Sequence, residues 1–140
     1  MVIKSIVHFE IPADDAERLS KFYADTFGWK FKKAEMPGMD YWMIQTGPWA
    51  KSVGGGMYKK AAPQDRPRNY INVDRIDAAI ATFKANGGTE VVGKQEVPKM
   101  GWSFIGADPE GNMIALWEAA RAPPRRRAAK KAGRSKKRSR

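Results

Sequence analysis

The chain has 140 residues, 42% of them hydrophobic, which is enough for one core of moderate size. It contains no cysteine, so disulfides and thiolate chemistry are excluded. The net charge of +11 sits at one end: residues 121–140 hold seven Arg and four Lys and no acid, leaving 15 of the 26 basic residues against all 15 acidic ones. No apolar run approaches the roughly 18 residues that span a bilayer. The opening MVIKSIVHFE is too polar and short for a secretory signal, so the expected location is cytoplasmic, with no membrane partner.

In chain order, IVHFEI alternates: Val7, Phe9 and Ile11 point one way, His8 and Glu10 the other. That is the period of a strand, Ile6 to Ile11, with one buried and one polar-facing side. Pro12 is expected to stop it, and Asp14 and Asp15 stand where helix N-caps belong. Leu19, Phe22, Tyr23 and Phe27 then form one apolar stripe on a helix from Ala16 to Phe27, ended by Gly28 at C′. Strands follow at Trp29 to Lys33, at Tyr41 to Gln45 and, after a Gly47-Pro48 turn, around Ser52 to Tyr58. Lys59 to Arg68, KKAAPQDRPR, is a polar linker. Tyr70 to Val73 starts a second module, and Asp74 is expected to cap a helix to about Ala85 with Ile76, Ala79, Ile80 and Phe83 inward. Asn86-Gly87-Gly88 ends that helix. The last strands are Glu90 to Val92, Trp102 to Gly106 and Met113 to Trp117, the final pair joined by the turn residues Asp108-Pro109-Glu110-Gly111.

The two halves repeat. Laid 61 positions apart, EMPGMDYWMI from Glu35 matches EVPKMGWSFI from Glu96, pairing Pro37 with Pro98, Met39 with Met100, Tyr41 with Trp102 and Ile44 with Ile105. An ordered series of this kind marks a duplicated unit. Each half reads strand, helix, then three further strands.

The duplicated βαβββ order, the HFEIPADD entry, the FYADTFGWKF exit and the late DPEGNMIALWE hairpin resemble the vicinal oxygen chelate superfamily, which includes glyoxalase I, bleomycin-resistance proteins and extradiol dioxygenases. The resemblance covers roughly residues 4–119. It implies an α+β fold in which two βαβββ modules, 1–59 and 68–120, form one domain over residues 1–120, their sheets curved around a cleft. It also implies a homodimer.

Metal-binding members of that superfamily draw His, Gln or Glu ligands from the first and last strands of the modules. His8 fills the first such position. Its counterpart is Asn69 by the plain repeat offset, or Arg68 if strand ends are aligned; a guanidinium cannot ligate a cation. The last-strand positions fall on Gly54 and Ala115. A catalytic zinc needs about three protein ligands, and the iron facial triad needs two His and a carboxylate. His8 is the single His, so no metal and no cofactor are expected, although Glu10 on the same face leaves a weak His/Glu site open.

Parity identifies what faces the cleft. Tyr70 and Asn72 share the side of His8 and Glu10; Met113, Ala115 and Trp117 face it from the last strand, and Ser52, Gly54 and Gly56 from its module-one equivalent. His8, Glu10, Gly54, Gly56, Tyr70, Asn72, Ala115 and Trp117 are therefore the candidate ligand-binding set, for a small apolar or aromatic molecule. The competing reading is that the aromatics fill the bowl and the glycines let sheets approach closely. No Gly-x-Ser-x-Gly elbow, Walker loop or dinucleotide fingerprint is present.

Two functions remain open: a metal-free small-molecule-binding domain for sequestration or sensing, or a metal-dependent lyase or dioxygenase with a non-standard ligand set. The 121–140 segment, with no aromatic residue, is expected to be a disordered basic tail. It is also expected to bind nucleic acid without sequence preference through Arg125, Arg126, Arg127, Lys130, Lys131, Arg134, Lys136, Lys137 and Arg138.

Overall fold

A computed structural model describes residues 2–121; the candidate nucleic-acid residues Arg125 to Arg138 lie outside the described residues. The chain runs β1 (Ile6–Ala13), α1 (Ala16–Phe27), β2 (Lys30–Met36), β3 (Met39–Gln45), β4 (Gly54–Lys59), β5 (Arg68–Asn72), α2 (Ile76–Ala85), β6 (Thr89–Val97), β7 (Gly101–Ala107) and β8 (Met113–Ala119). This is the duplicated βαβββ order read from the sequence. All eight strands form one curved, unclosed sheet in the order β2-β3-β4-β1-β5-β8-β7-β6. The antiparallel β1–β5 pair is the seam between the modules, and within each module the first and last strands pair in parallel.

Both helices pack on one face of the sheet. Under α1, Ile11, Ala13, Ile44 and Met57 are buried, with Leu19 and Tyr23 of the helix and Trp29 against them. Tyr23 stacks on Trp29 at 4.9 Å between ring centroids. Only half of the expected α1 stripe is used: Phe22 and Phe27 lie exposed. Under α2, Val73, Ile76, Phe104 and Leu116 are buried, and Ala79, Ile80 and Phe83 pack on them, as the periodicity predicts. Apolar burial of this kind contributes about 25 cal/mol per Å², so these two clusters hold the helices to the sheet.

The local signals hold at α1. The Asp15 carboxylate accepts from the Arg18 N–H at 2.9 Å, and Gly28, at φ 73°, closes the helix with its N–H on the Ala24 carbonyl. Asp74 does not cap α2. Its carboxylate accepts from the Val2 N–H at 2.7 Å, Arg75 takes the N-cap position without a side-chain bond, and Glu118 of β8 caps the helix instead, accepting from the Ile76 N–H at 2.7 Å. The final turn forms as read: Asp108 accepts from the Glu110 and Asn112 N–H groups, each at 2.9 Å.

Pro12 does not end β1, which continues to Ala13 paired with β4. The β5 pairing stops at Glu10, so Pro12 sits where the strand is bonded along one edge, a position that tolerates a missing N–H. The repeat also slips by one residue in β3 and β7. Trp42 pairs with Met57 and Trp102 with Glu118, so the two Trp residues are the structural equivalents. Both pack on the helix side, each with a lysine over its ring, Lys33 at 5.6 Å and Lys94 at 4.4 Å. Tyr41, matched to Trp102 in the sequence, instead faces the concave side, because a one-residue slip exchanges the two faces of a strand. Among the described residues no helix is long and apolar enough to cross a membrane.

Candidate functional site

The concave face is built outward from the seam. In register, His8 lies opposite Gly54 of β4 and Tyr70 of β5, and Glu10 opposite Gly56 and Arg68. Tyr70 in turn lies opposite Ala115 of β8. His8:Gly54 and Tyr70:Ala115 are thus equivalent pairs, and the module-two counterpart of His8 is Tyr70. Neither Asn69 nor Arg68 occupies that place; Asn69 pairs with Phe9 on the alternate face.

Glu10 is the buried polar residue at the centre, 8% exposed. Its Oε1 accepts from Arg68 Nη2 at 2.7 Å, Arg68 Nε at 3.1 Å and the Tyr70 hydroxyl at 2.7 Å. Arg68 also lies over the Tyr58 ring at 4.9 Å and reaches its hydroxyl at 3.5 Å. A carboxylate taken from water is tolerable only when paired and hydrogen-bonded, and here both conditions are met. Among the described residues no buried side-chain nitrogen or oxygen lacks a partner.

His8 is half-buried beside this cluster. Its Nε2 is 2.8 Å from the Tyr41 hydroxyl, and its ring meets Tyr70 edge-on at 5.4 Å. Burial pulls the His8 imidazole below its ordinary value of 6.5, and the Glu10 carboxylate offsets this only in part. Burial, then the Glu10 charge, raises the Tyr41 and Tyr70 phenols, so both keep their protons at neutral pH. Burial pulls the Arg68 guanidinium down, but Tyr70 and Glu10 outweigh it and the net shift is upward.

The glycines do not form an open wall. Gly55 receives the Phe9 ring on the helix side, and Gly56 receives the Tyr41 hydroxyl on the concave side, so a Cβ at either would clash. Gly54 is the least crowded of the three: a Cβ there would meet the Ile44 carbonyl at 3.2 Å and no side chain within 4 Å. Gly54 lies opposite His8 in register, so the least crowded of the three glycines is the one beside the imidazole.

Of the candidate set, the structure brings together His8, Glu10, Gly54, Gly56, Tyr70 and Ala115. Asn72 and Trp117 pair with each other one step farther from Glu10. No hydrogen bond or ring contact joins them to the cluster among the described residues. Asn72 instead borders a shallow cavity of about 510 Å³ at the start of α2, with Val2, Asp74, Arg75 and Glu118. Tyr41, Tyr58 and Arg68 were missed by sequence. For Tyr58 and Arg68 the signal was present, since they continue the alternation of Gly54 and Gly56 and of Tyr70 and Asn72.

A metal of the superfamily type does not fit. The positions equivalent to ligands hold His8, Gly54, Tyr70 and Ala115, one imidazole and a protonated phenol, while the Glu10 carboxylate is committed to Arg68 and Tyr70. Among the described residues no group of three His, Asp or Glu side chains converges.

Residues 5–47 match the family described as bleomycin resistance protein-like N-terminal. A glyoxylase-like domain-containing protein from Didymella fabae is 38% identical over 116 residues, covering 76% of this chain and 88% of that protein. The putative glyoxylase CFP32 of Mycobacterium tuberculosis is 27% identical over 132 residues, and the match covers 80% of this chain but 44% of that relative, less than half its length. The structure of methylmalonyl-CoA epimerase from Mycobacterium tuberculosis has the same fold, with a TM-score of 0.64 at 17% identity over 86% of this chain and 94% of its own. A superfamily member from Vibrio splendidus 12B01 aligns at a TM-score of 0.59 and 13% identity, over 83% of this chain and 99% of that one. With this fold, this repeat and a relative matched along nearly its whole length, the chain belongs to the glyoxalase/bleomycin-resistance/dioxygenase superfamily, the vicinal oxygen chelate group.

Proposed function

We propose that this chain is a metal-free small-molecule-binding domain, serving sequestration or sensing, whose ligand docks on the concave face beside His8. One observation carries the reading. Arg68 and Tyr70 satisfy Glu10, leaving a half-buried imidazole beside Gly54, whose Cβ position meets no side chain within 4 Å. A few fixed polar groups gathered on a concave face are a usual feature of a small-molecule site. Met39 and Met43, exposed on β3, supply an adaptable apolar rim.

The metal-dependent lyase or dioxygenase reading follows the names of relatives, but it requires donors that the neighbours of His8 do not supply. Thermal-shift measurements against a panel of small aromatic and aliphatic molecules test the binding reading. A ligand at a hundred times its Kd stabilises by about 2.7 kcal/mol. Hits that persist without metal and vanish in Gly54→Val support it; a panel without hits in the wild type sinks it. The basic segment 121–140 is proposed to add non-specific nucleic-acid binding, on charge alone.

A further inference from the structure

The segment 121–140 carries eleven positive charges and no aromatic ring. Exposed rings stand on the body instead, at the edge of the sheet where that segment begins. Register gathers six strand ends on this edge. Lys30 of β2 lies beside Gln45 of β3, Gly54 of β4 beside His8 of β1, Ile71 of β5 beside Ile6, and Asn72 beside Trp117 of β8. The 46–53 loop therefore turns at the same edge from which the chain leaves β8. In the order β4-β1-β5-β8, three spacings of about 4.8 Å separate the two strands. A segment of twenty residues extends to roughly 70 Å.

Trp49 is at the apex of that loop and is 83% exposed, although tryptophan is a residue that folding normally buries over most of its area. Three hydrogen bonds brace the turn beneath it. The Lys51 N–H donates to the Pro48 carbonyl at 2.9 Å, the Ser52 hydroxyl to the same oxygen at 2.8 Å, and the Thr46 hydroxyl to the Val53 carbonyl at 2.6 Å. Phe27, 61% exposed, ends α1 one residue before Gly28. Gly28 and Pro48, the chain neighbours of these two rings, line a shallow cleft of about 300 Å³ with Lys30, Gln45 and Gly47. Among the described residues neither Lys30 nor Lys51 pairs with a carboxylate. Residues 26–34 and 41–58 together contain four lysines and no acid. Asp74 and Glu118, acids farther along the edge, are engaged by the Val2 and Ile76 N–H groups. This corner is positive although the body as a whole is neutral.

We infer that this corner is a docking site for single-stranded nucleic acid: the basic segment holds phosphates while unpaired bases stack on Trp49 and Phe27, and Lys30 and Lys51 meet the phosphates between them. This rests on the nucleic-acid reading of segment 121–140. Charge alone serves a duplex at least as well as a single strand. Exposed rings change the preference, because only unpaired bases offer free π faces for stacking. The lining of the cleft points the same way. The Lys30 ammonium, the Gln45 amide and the backbone of two glycines are polar partners for base edges, and they give an acyl chain little to pack on.

Fluorescence anisotropy of the full-length chain tests this, with labelled oligo(dT) and a labelled duplex of the same length. Trp49→Ala removes an exposed ring, so the urea midpoint should not move. The variant should bind oligo(dT) about tenfold more weakly, the loss of one stacked base. Its affinity for the duplex should be unchanged, and so should the salt slope for both, since no phosphate contact is lost. Unchanged oligo(dT) affinity in Trp49→Ala, or an equal loss for both nucleic acids, overturns the inference and leaves the charge-based reading of 121–140 standing. Wild-type protein that binds neither nucleic acid overturns both. A blue shift of tryptophan emission on phosphatidylcholine vesicles containing phosphatidylserine, lost in Trp49→Ala, would assign the corner to a membrane surface and overturn the inference as well.

Discussion

The hydroxyl of Tyr41 lies in the volume that a side chain at Gly56 would need. This one relationship links β3 to β4 and aims the phenol at His8 Nε2, 2.8 Å away on β1. A methyl group at Gly56 must therefore displace a buried tyrosine. We expect Gly56→Ala to lower stability by about 1–3 kcal/mol, the usual range for overpacking, and to shift the His8 imidazole resonances. Gly55→Ala, which strikes Phe9 on the opposite face, should also destabilise but leave those resonances in place. Urea unfolding with NMR of the single histidine separates the two, and an unchanged His8 signal in Gly56→Ala would break the link.

Arg68 and Glu10 stabilise the seam as a pair, and removing one member strands the other. With side chains 18% and 10% exposed, Arg68→Met should destabilise by about 3–5 kcal/mol through an uncompensated carboxylate. Adding Glu10→Gln should recover a substantial part of that loss. Additive effects in the double variant, measured by urea unfolding, would show that the two groups do not interact.

The pH dependence has a definite sign. Folding lowers the His8 pKa below 6.5, so between the lowered value and 6.5 the unfolded chain binds more protons than the folded one. The contribution of His8 to stability is thus complete above 6.5 and is lost as pH falls through that window. His8→Gln should flatten the slope of the urea midpoint between roughly pH 5 and 7 relative to wild type. A parallel slope in the two proteins would contradict a depressed imidazole.

The segment 121–140 carries eleven positive charges beside a body with equal numbers of acids and bases. If about six of them engage phosphates, log K for duplex DNA should fall against log salt with a slope near −5. Deleting 121–140 should abolish retardation of DNA. A truncated body that still retards DNA at moderate salt would refute this division of labour.

Much of the fold was legible because each module signals its elements by period: the alternation of IVHFEI, the stripe of α2, the Asp15 cap and the Gly28 exit all appear in place. What failed was register. The repeat that pairs Tyr41 with Trp102 places both on one face, whereas cross-strand pairing puts them on opposite faces. No local signal marks a one-residue slip, because it is set by which strands meet. The same limit hid Tyr70 as the counterpart of His8, and it hid Glu118 as the cap of α2 from 42 residues away. Conversely, that Gly54 and Ala115 offer no side-chain donor atom was legible from residue identity alone.

The central claim is that this cleft works without a metal, and metal analysis of the purified full-length protein tests it most directly. We expect sub-stoichiometric Zn, Ni, Fe and Mn, affinities for each no tighter than micromolar by titration, and a thermal midpoint that chelators leave unchanged. One equivalent of bound metal, retained through purification and lost in His8→Ala, would contradict the account and return the chain to the metal-dependent reading of its superfamily.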